Sequence, residues 1–144
     1  MGDYTRFKFS AQLKGDTPAE AIEAIRFLLS DEDEVIPSLP AHPFFQDSRS
    51  SMVLSGGSAY FDTPELPALE ERDGAWHLSC HSSLKNYDRT IEKFCDWVAP
   101  YIGEADGTII GEREFEFDDD PTLLMISGGR IDDVEPRANR TSTY

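Results

Sequence analysis

The chain has 144 residues, 39% of them hydrophobic and 11% aromatic, which is enough for one domain with a real core. Its 28 acidic and 13 basic side chains leave a formal net charge of −15. Such a field excludes nucleic acid and anionic membranes as direct partners and favours a basic protein surface. No stretch approaches a membrane span, and the opening MGDYTRFKF lacks an apolar signal core, so a cytoplasmic location is expected.

Residues Tyr4 to Lys14 alternate, with Phe7, Phe9, Ala11 and Leu13 on one face and Arg6, Lys8, Ser10, Gln12 and Lys14 on the other. That period of two predicts a half-buried strand. After the turn at Gly15-Asp16, Thr17 as N-cap, Pro18 at the first helical position and Glu20 in a capping box predict a helix ending near Ser30. Ile22, Ile25, Leu28 and Leu29 form its apolar stripe. Residues 31–50 carry three prolines and read as a long connection, pinned by Phe44 and Phe45.

A second strand is expected from about Ser51 to Phe61. Residues 62–74 read as a loop, or as a poor edge strand ending in a turn at Asp73-Gly74. Trp76, Leu78, Cys80 and Leu84 alternate with His77, Ser79, His81 and Ser83, predicting another strand. Residues 86–103 hold the clearest helical pattern, with Ile91, Phe94, Cys95, Val98 and Ile102 in phase. Asn86 or Asp88 caps this helix and Gly103 ends it. Two strands follow, over 107–117 and 122–131, joined by Asp118-Asp119-Asp120-Pro121. Residues 135–144 are a polar tail.

The elements repeat. Phe7 aligns with Leu78, Phe9 with Cys80, Leu13 with Leu84, and each unit reaches an apolar run closed by Ser-Gly-Gly, at Ser55 and Ser127. The expectation is a single α+β domain over 1–134 with pseudo-repeats 4–61 and 76–131. Two β-α-β units in tandem predict a ferredoxin-like sandwich, an antiparallel sheet of about five strands with two helices on one face. A phosphate loop needs its glycines between a strand and a helix start, and neither Ser-Gly-Gly precedes a helix pattern.

Little in the chain marks catalysis. His77 and His81 sit four apart on one strand, roughly 13 Å along it, too far to share a metal. Cys80 and His81 are strand neighbours and point to opposite faces, which breaks the obvious nucleophile and base pair. Cys80 and Cys95 read as buried free thiols of a reducing compartment. No metal, cofactor or catalytic residue is assigned. The first strand turns its aromatics inward, away from the stacking positions of an RNA-binding sheet.

The acidic clusters remain. Asp31, Glu32, Asp33 and Glu34 form one. Glu112, Glu114 and Glu116 alternate along a strand at roughly 6.5–7 Å, close to the spacing of successive phosphates, and Asp118, Asp119 and Asp120 prolong the row. These ten carboxylates are the candidate partner-binding residues. The alternative is that edge-strand charge simply deters sheet-to-sheet pairing.

The stretches LKNYDRTIEKFCDWVAPYIG and FKFSAQLKGDTPAEAIEAIRFLL resemble small acidic bacterial and phage-associated proteins of similar length. That resemblance covers most of the chain but carries only structural motifs, and it implies no catalytic residue. It does imply an inhibitor or immunity-type protein that blocks a basic surface, including one that normally holds nucleic acid, on a nuclease or defence complex. Two other readings stay open. One is a small enzyme or ligand-binding domain with a site at the 31–50 connection, around His42 and Arg49. The other is a self-assembling module, such as a homodimer paired through its last strand.

Overall fold

A computed structural model describes residues 4–29, 39–47, 50–55, 61, 63, 66–118 and 120–135. Among them the chain is mixed α+β, with six strands in one antiparallel sheet and four α-helices. The elements are β1 (Tyr4–Gln12), α1 (Ala19–Leu29), α2 (Pro43–Gln46), α3 (Ser50–Ser55), β2 (Ala68–Arg72) and β3 (Ala75–Lys85). Then come α4 (Thr90–Val98), a 3-10 turn (Ala99–Tyr101), β4 (Ile109–Phe115), β5 (Thr122–Ser127) and β6 (Arg130–Val134). The strand order is β2-β3-β1-β4-β5-β6. No helix among the described residues is long and apolar enough to cross a membrane.

The alternation of β1 decides the layering. Phe7, Phe9 and Ala11 are fully buried and lie opposite Ser82, Cys80 and Leu78 of β3. The helices cover this face. Phe94 of α4 meets Phe7 and Phe9, and the carbonyl of Val53 in α3 accepts the Ser82 hydroxyl at 2.6 Å. The other face carries Arg6, Lys8, Ser10, His77, His81, Glu112 and Glu114 and no described helix.

Five strands and two helices were expected, and four local differences account for the change. The connection expected to be irregular over 31–50 contains the short helix α2, which Pro43 opens at a position where a missing N–H costs nothing. The strand foreseen over 51–61 is a helix as far as Ser55, where Val53 and Leu54 are buried, and 56–60 lie outside the described residues. An apolar run of three is too short to tell helix from strand. Residues 68–72 take the edge-strand alternative, and the turn beyond them has Asp73 at φ +52° and Gly74 at φ +82°. The single strand foreseen over 122–131 folds back on itself. Gly128 and Gly129, at φ +59° and +77°, make a two-residue turn that pairs Ser127 with Arg130 and creates β6. The two Ser-Gly-Gly stretches therefore do not stand in equivalent elements, since Ser55 closes α3 and Ser127 closes β5.

Caps were partly foreseen. Neither Asn86 nor Asp88 is the N-cap of α4, which is Arg89 and makes no side-chain cap bond, but Asn86 Oδ1 accepts the Ile91 N–H of the first turn at 2.8 Å. Thr17 does not cap α1: its hydroxyl donates to the Lys14 carbonyl at 2.6 Å, and the Pro18 carbonyl takes the first helical bonds.

One glycine is required by packing. β4 bulges between Ile109 and Gly111, and a Cβ on Gly111 would lie 2.3 Å from the Lys8 carbonyl oxygen of β1. The neighbour is backbone, so the sheet itself must part. Gly111→Ala is expected to cost about 2–3 kcal/mol, lowering Tm by roughly 5–10 °C in a thermal melt. Gly15→Ala, with nothing near the added methyl, is the control.

Candidate functional site

Of the predicted acidic row, Glu112 and Glu114 stand on β4, and the row is largely engaged within the chain. β1 pairs with β4 so that Arg6 lies opposite Glu114 and Lys8 opposite Glu112. The pleat thus brings the Arg6 guanidinium between two carboxylates on the uncovered face. Arg6 Nη2 is 3.1 Å from Glu114 Oε1 and 3.4 Å from Glu112 Oε2. The Arg6 side chain is only 13% exposed, because His81 Nε2 closes on its third side at 3.3 Å.

Glu116 lies beyond the end of β4 and accepts the Tyr4 N–H at 2.7 Å. Asp118 accepts the Phe115 N–H at 3.2 Å and holds the connection to β5. Asp120 is half-buried. Asp31, Glu32, Asp33, Glu34 and Asp119 lie outside the described residues. The sheet thus gathers Glu112, Glu114, Glu116, Asp118 and Asp120 toward one end, where the first four accept internal hydrogen bonds or ion pairs.

The histidines and cysteines have structural surroundings. His42 caps α2: its Nδ1 accepts the Phe44 N–H at 3.1 Å, leaving Nε2 to donate to Asp96 at 2.9 Å. His77 Nε2 sits 2.9 Å from Ser10 Oγ. Among the described residues no group of three or more His, Cys, Asp or Glu is placed to hold a metal ion. Cys80 and Cys95 are free and buried. Burial, then the neighbouring Cys95, pushes the Cys80 thiol far above its ordinary range. Burial, then Glu92, pushes Cys95 up to about 12. Both stay protonated and poorly nucleophilic at neutral pH.

What the sequence did not reveal lies on the helix side, where β4, β5 and β6 run out from under α4. A cleft of about 600 Å³ opens between α4 and β6, and a second of about 490 Å³ opens beside it. Both are lined by Arg89, Glu92 and Arg113. Arg113 of β4 reaches across β5 to make a bidentate pair with Asp133 of β6, at 2.6 and 2.7 Å, and its Nε is 3.7 Å from Glu92 of α4. The Arg113 hydrogen bond holds the Asp133 carboxyl below its usual range, and Asp133 in turn raises Arg113. This pair ties the outer strand back to β4 above pH 4, and its contribution fades as acid protonates Asp133. With Asp133 half in solvent, that contribution is small. Arg89, just before α4, is held at φ +57°, a left-handed conformation costly for a side chain of its size.

One signal for this region was present in the sequence. Gly128-Gly129 between apolar runs is a hairpin signature, which places Asp133 on a strand two removed from Arg113.

No protein-family model matches the chain, and neither a curated protein nor a solved structure matches it.

Proposed function

We propose that the chain is a non-catalytic acidic binding module that docks on a basic protein surface, as an inhibitor or immunity-type protein would on a nuclease or defence complex. One observation supports this reading above the rest. The net charge is −15, and the cations Arg6, Arg72, Lys93, Arg113 and Arg130 are each ion-paired to carboxylates of the same chain. These pairs leave the net charge unchanged, and its field accelerates encounter with a basic partner and makes binding sensitive to salt. Exposed acids such as Glu20, Glu23, Glu71 and Asp88 distribute this field over several elements, in place of a single ribbon.

Two finer assignments go with it. The interleaved β1-α1-β2 and β3-α4-β4 excursions, in the order β2-β3-β1-β4, are consistent with a ferredoxin-like core extended by β5 and β6. Two buried free thiols suit a reducing cytoplasm.

The test is affinity purification with mass spectrometry at low and high salt. Reversing Glu112 or Glu114 would set a cation against Arg6, so the control is a Glu20→Lys, Glu23→Lys, Glu71→Lys variant, whose positions are exposed. Basic partners recovered at low salt, lost at high salt and weakened in the variant are expected. Recovery indifferent to both changes would end the proposal.

A further inference from the structure

β6 is an edge strand with a groove beside it. The turn at Gly128-Gly129 closes on the Ser127 and Arg130 pair. In a two-residue hairpin the closing pair exchanges its backbone hydrogen bonds, and the pattern then alternates. Arg130, Asp132 and Val134 thus turn their backbone groups toward β5, while Ile131 and Asp133 turn theirs away from the sheet. β6 stands last in the strand order, so among the described residues no strand meets these outward groups.

The larger cleft runs along this edge. Its walls are the whole stretch 129–133 on one side and Ile91 and Cys95 of α4, with Ala99 of the 3-10 turn, on the other. A strand laid against β6 would place alternate side chains into the cleft, over Ile91, Leu124 and Ile131, and the others outward beside Asp132.

We infer that this edge binds an extended, basic segment of a partner protein by strand addition, with the groove between β6 and α4 receiving its inward side chains. The inference rests on the proposal that the partner is basic, and it adds the place and the form of contact. Charge selects the occupant. Glu92, Asp96, Asp132 and Asp133 border the cleft with Arg89, Arg113 and Arg130; Arg113 is held by Asp133 and Glu92 and Arg130 by Asp132, so the cleft is only slightly acidic and the selection comes chiefly from the net charge of −15 around it. A second copy at the same edge would bring together two chains of −15 each and set their Asp132 and Asp133 side chains close to one another. A lysine-bearing strand meets neither repulsion.

The test uses the intact chain and a defined probe, the peptide acetyl-Lys-Val-Lys-Val-Lys-Val-amide, followed by residue-resolved amide exchange in NMR. Binding is expected to slow exchange of the Ile131 and Asp133 amides about tenfold or more, the effect of one or two new hydrogen bonds. Shifts should concentrate on 129–133 and the facing side of α4. An analogue N-methylated on alternate amides should bind about tenfold more weakly, and the Glu-Val analogue should not bind. The inference is overturned if the two amides are unaffected, if the N-methylated peptide binds equally, or if the Glu-Val peptide does. It is also overturned if these amides become protected without peptide as protein concentration rises, since a second copy would then occupy the edge. Ladder formation with salt-indifferent partner recovery would count against the broader proposal alone. Salt-sensitive recovery without a ladder would count against the edge alone.

Discussion

Phe94→Ala is expected to remove about 4 kcal/mol from the unfolding free energy, lowering Tm by roughly 10 °C. Phe94 is fully buried, and its ring centroid lies 5.9 Å from that of Phe7, 5.6 Å from Phe9, 5.4 Å from Phe44 and 6.3 Å from Trp97. It therefore joins three elements: β1, the short helix α2 and its own helix α4. Truncation opens a cavity that none of these can fill alone, since Phe44 is held by the His42 cap and the β1 rings by the sheet. Phe94→Leu keeps most of the volume and should cost less than half as much. Equal losses for the two variants, read in urea unfolding, would show that ring packing is not what holds the helices to the sheet.

The second large effect is alkaline. Cys80 and Cys95 are neutral thiols in the folded chain, with Cys95 raised to about 12. In the unfolded chain a thiol ionises near its ordinary value of about 8.5. A folded pKa above the unfolded one gives a contribution that is whole below pH 8.5 and is lost as pH rises toward the folded value. Each buried thiol should then subtract up to about 1.4 kcal/mol per pH unit above about pH 9. Tyrosine and lysine titrate in the same range, so the measurement is a difference. Wild type and a Cys80→Ala, Cys95→Ala variant are unfolded in urea at pH 8 and pH 10.5. The wild type should lose about 3 kcal/mol or more beyond the loss of the variant. Parallel losses would mean that the thiols are reached by solvent.

Much of the sheet was legible because its signals are local. The alternation from Tyr4 to Gln12 gave both the strand and its buried face, and the Asp73-Gly74 turn marked the β2-β3 hairpin. The stretch at Ser51 was not legible, because an apolar run of three fits either period, and what decides it is whether β3 needs cover. The candidate sites were the least legible. Glu112 and Glu114 read as a free row because alternation reports which face a side chain takes but not what stands across from it. Arg6 comes opposite Glu114 only through a register set over more than a hundred positions. The Arg113 and Asp133 pair spans an intervening strand, and the Gly128-Gly129 turn signals that strand's reversal but not the pairing itself.

The glycine turn between β5 and β6 has a consequence for how this chain can diverge. Its two residues set the parity of everything downstream: Ile131 and Asp133 face the helices, Asp132 and Val134 the other side. A single inserted residue there that shifted the pairing by one would exchange those two sets. Ile131 would leave the core side, and the guanidinium of Arg113 would lose its carboxylate and meet a different one or none. Length variation at this tip should therefore come in steps of two, or be accompanied by compensating change at position 113.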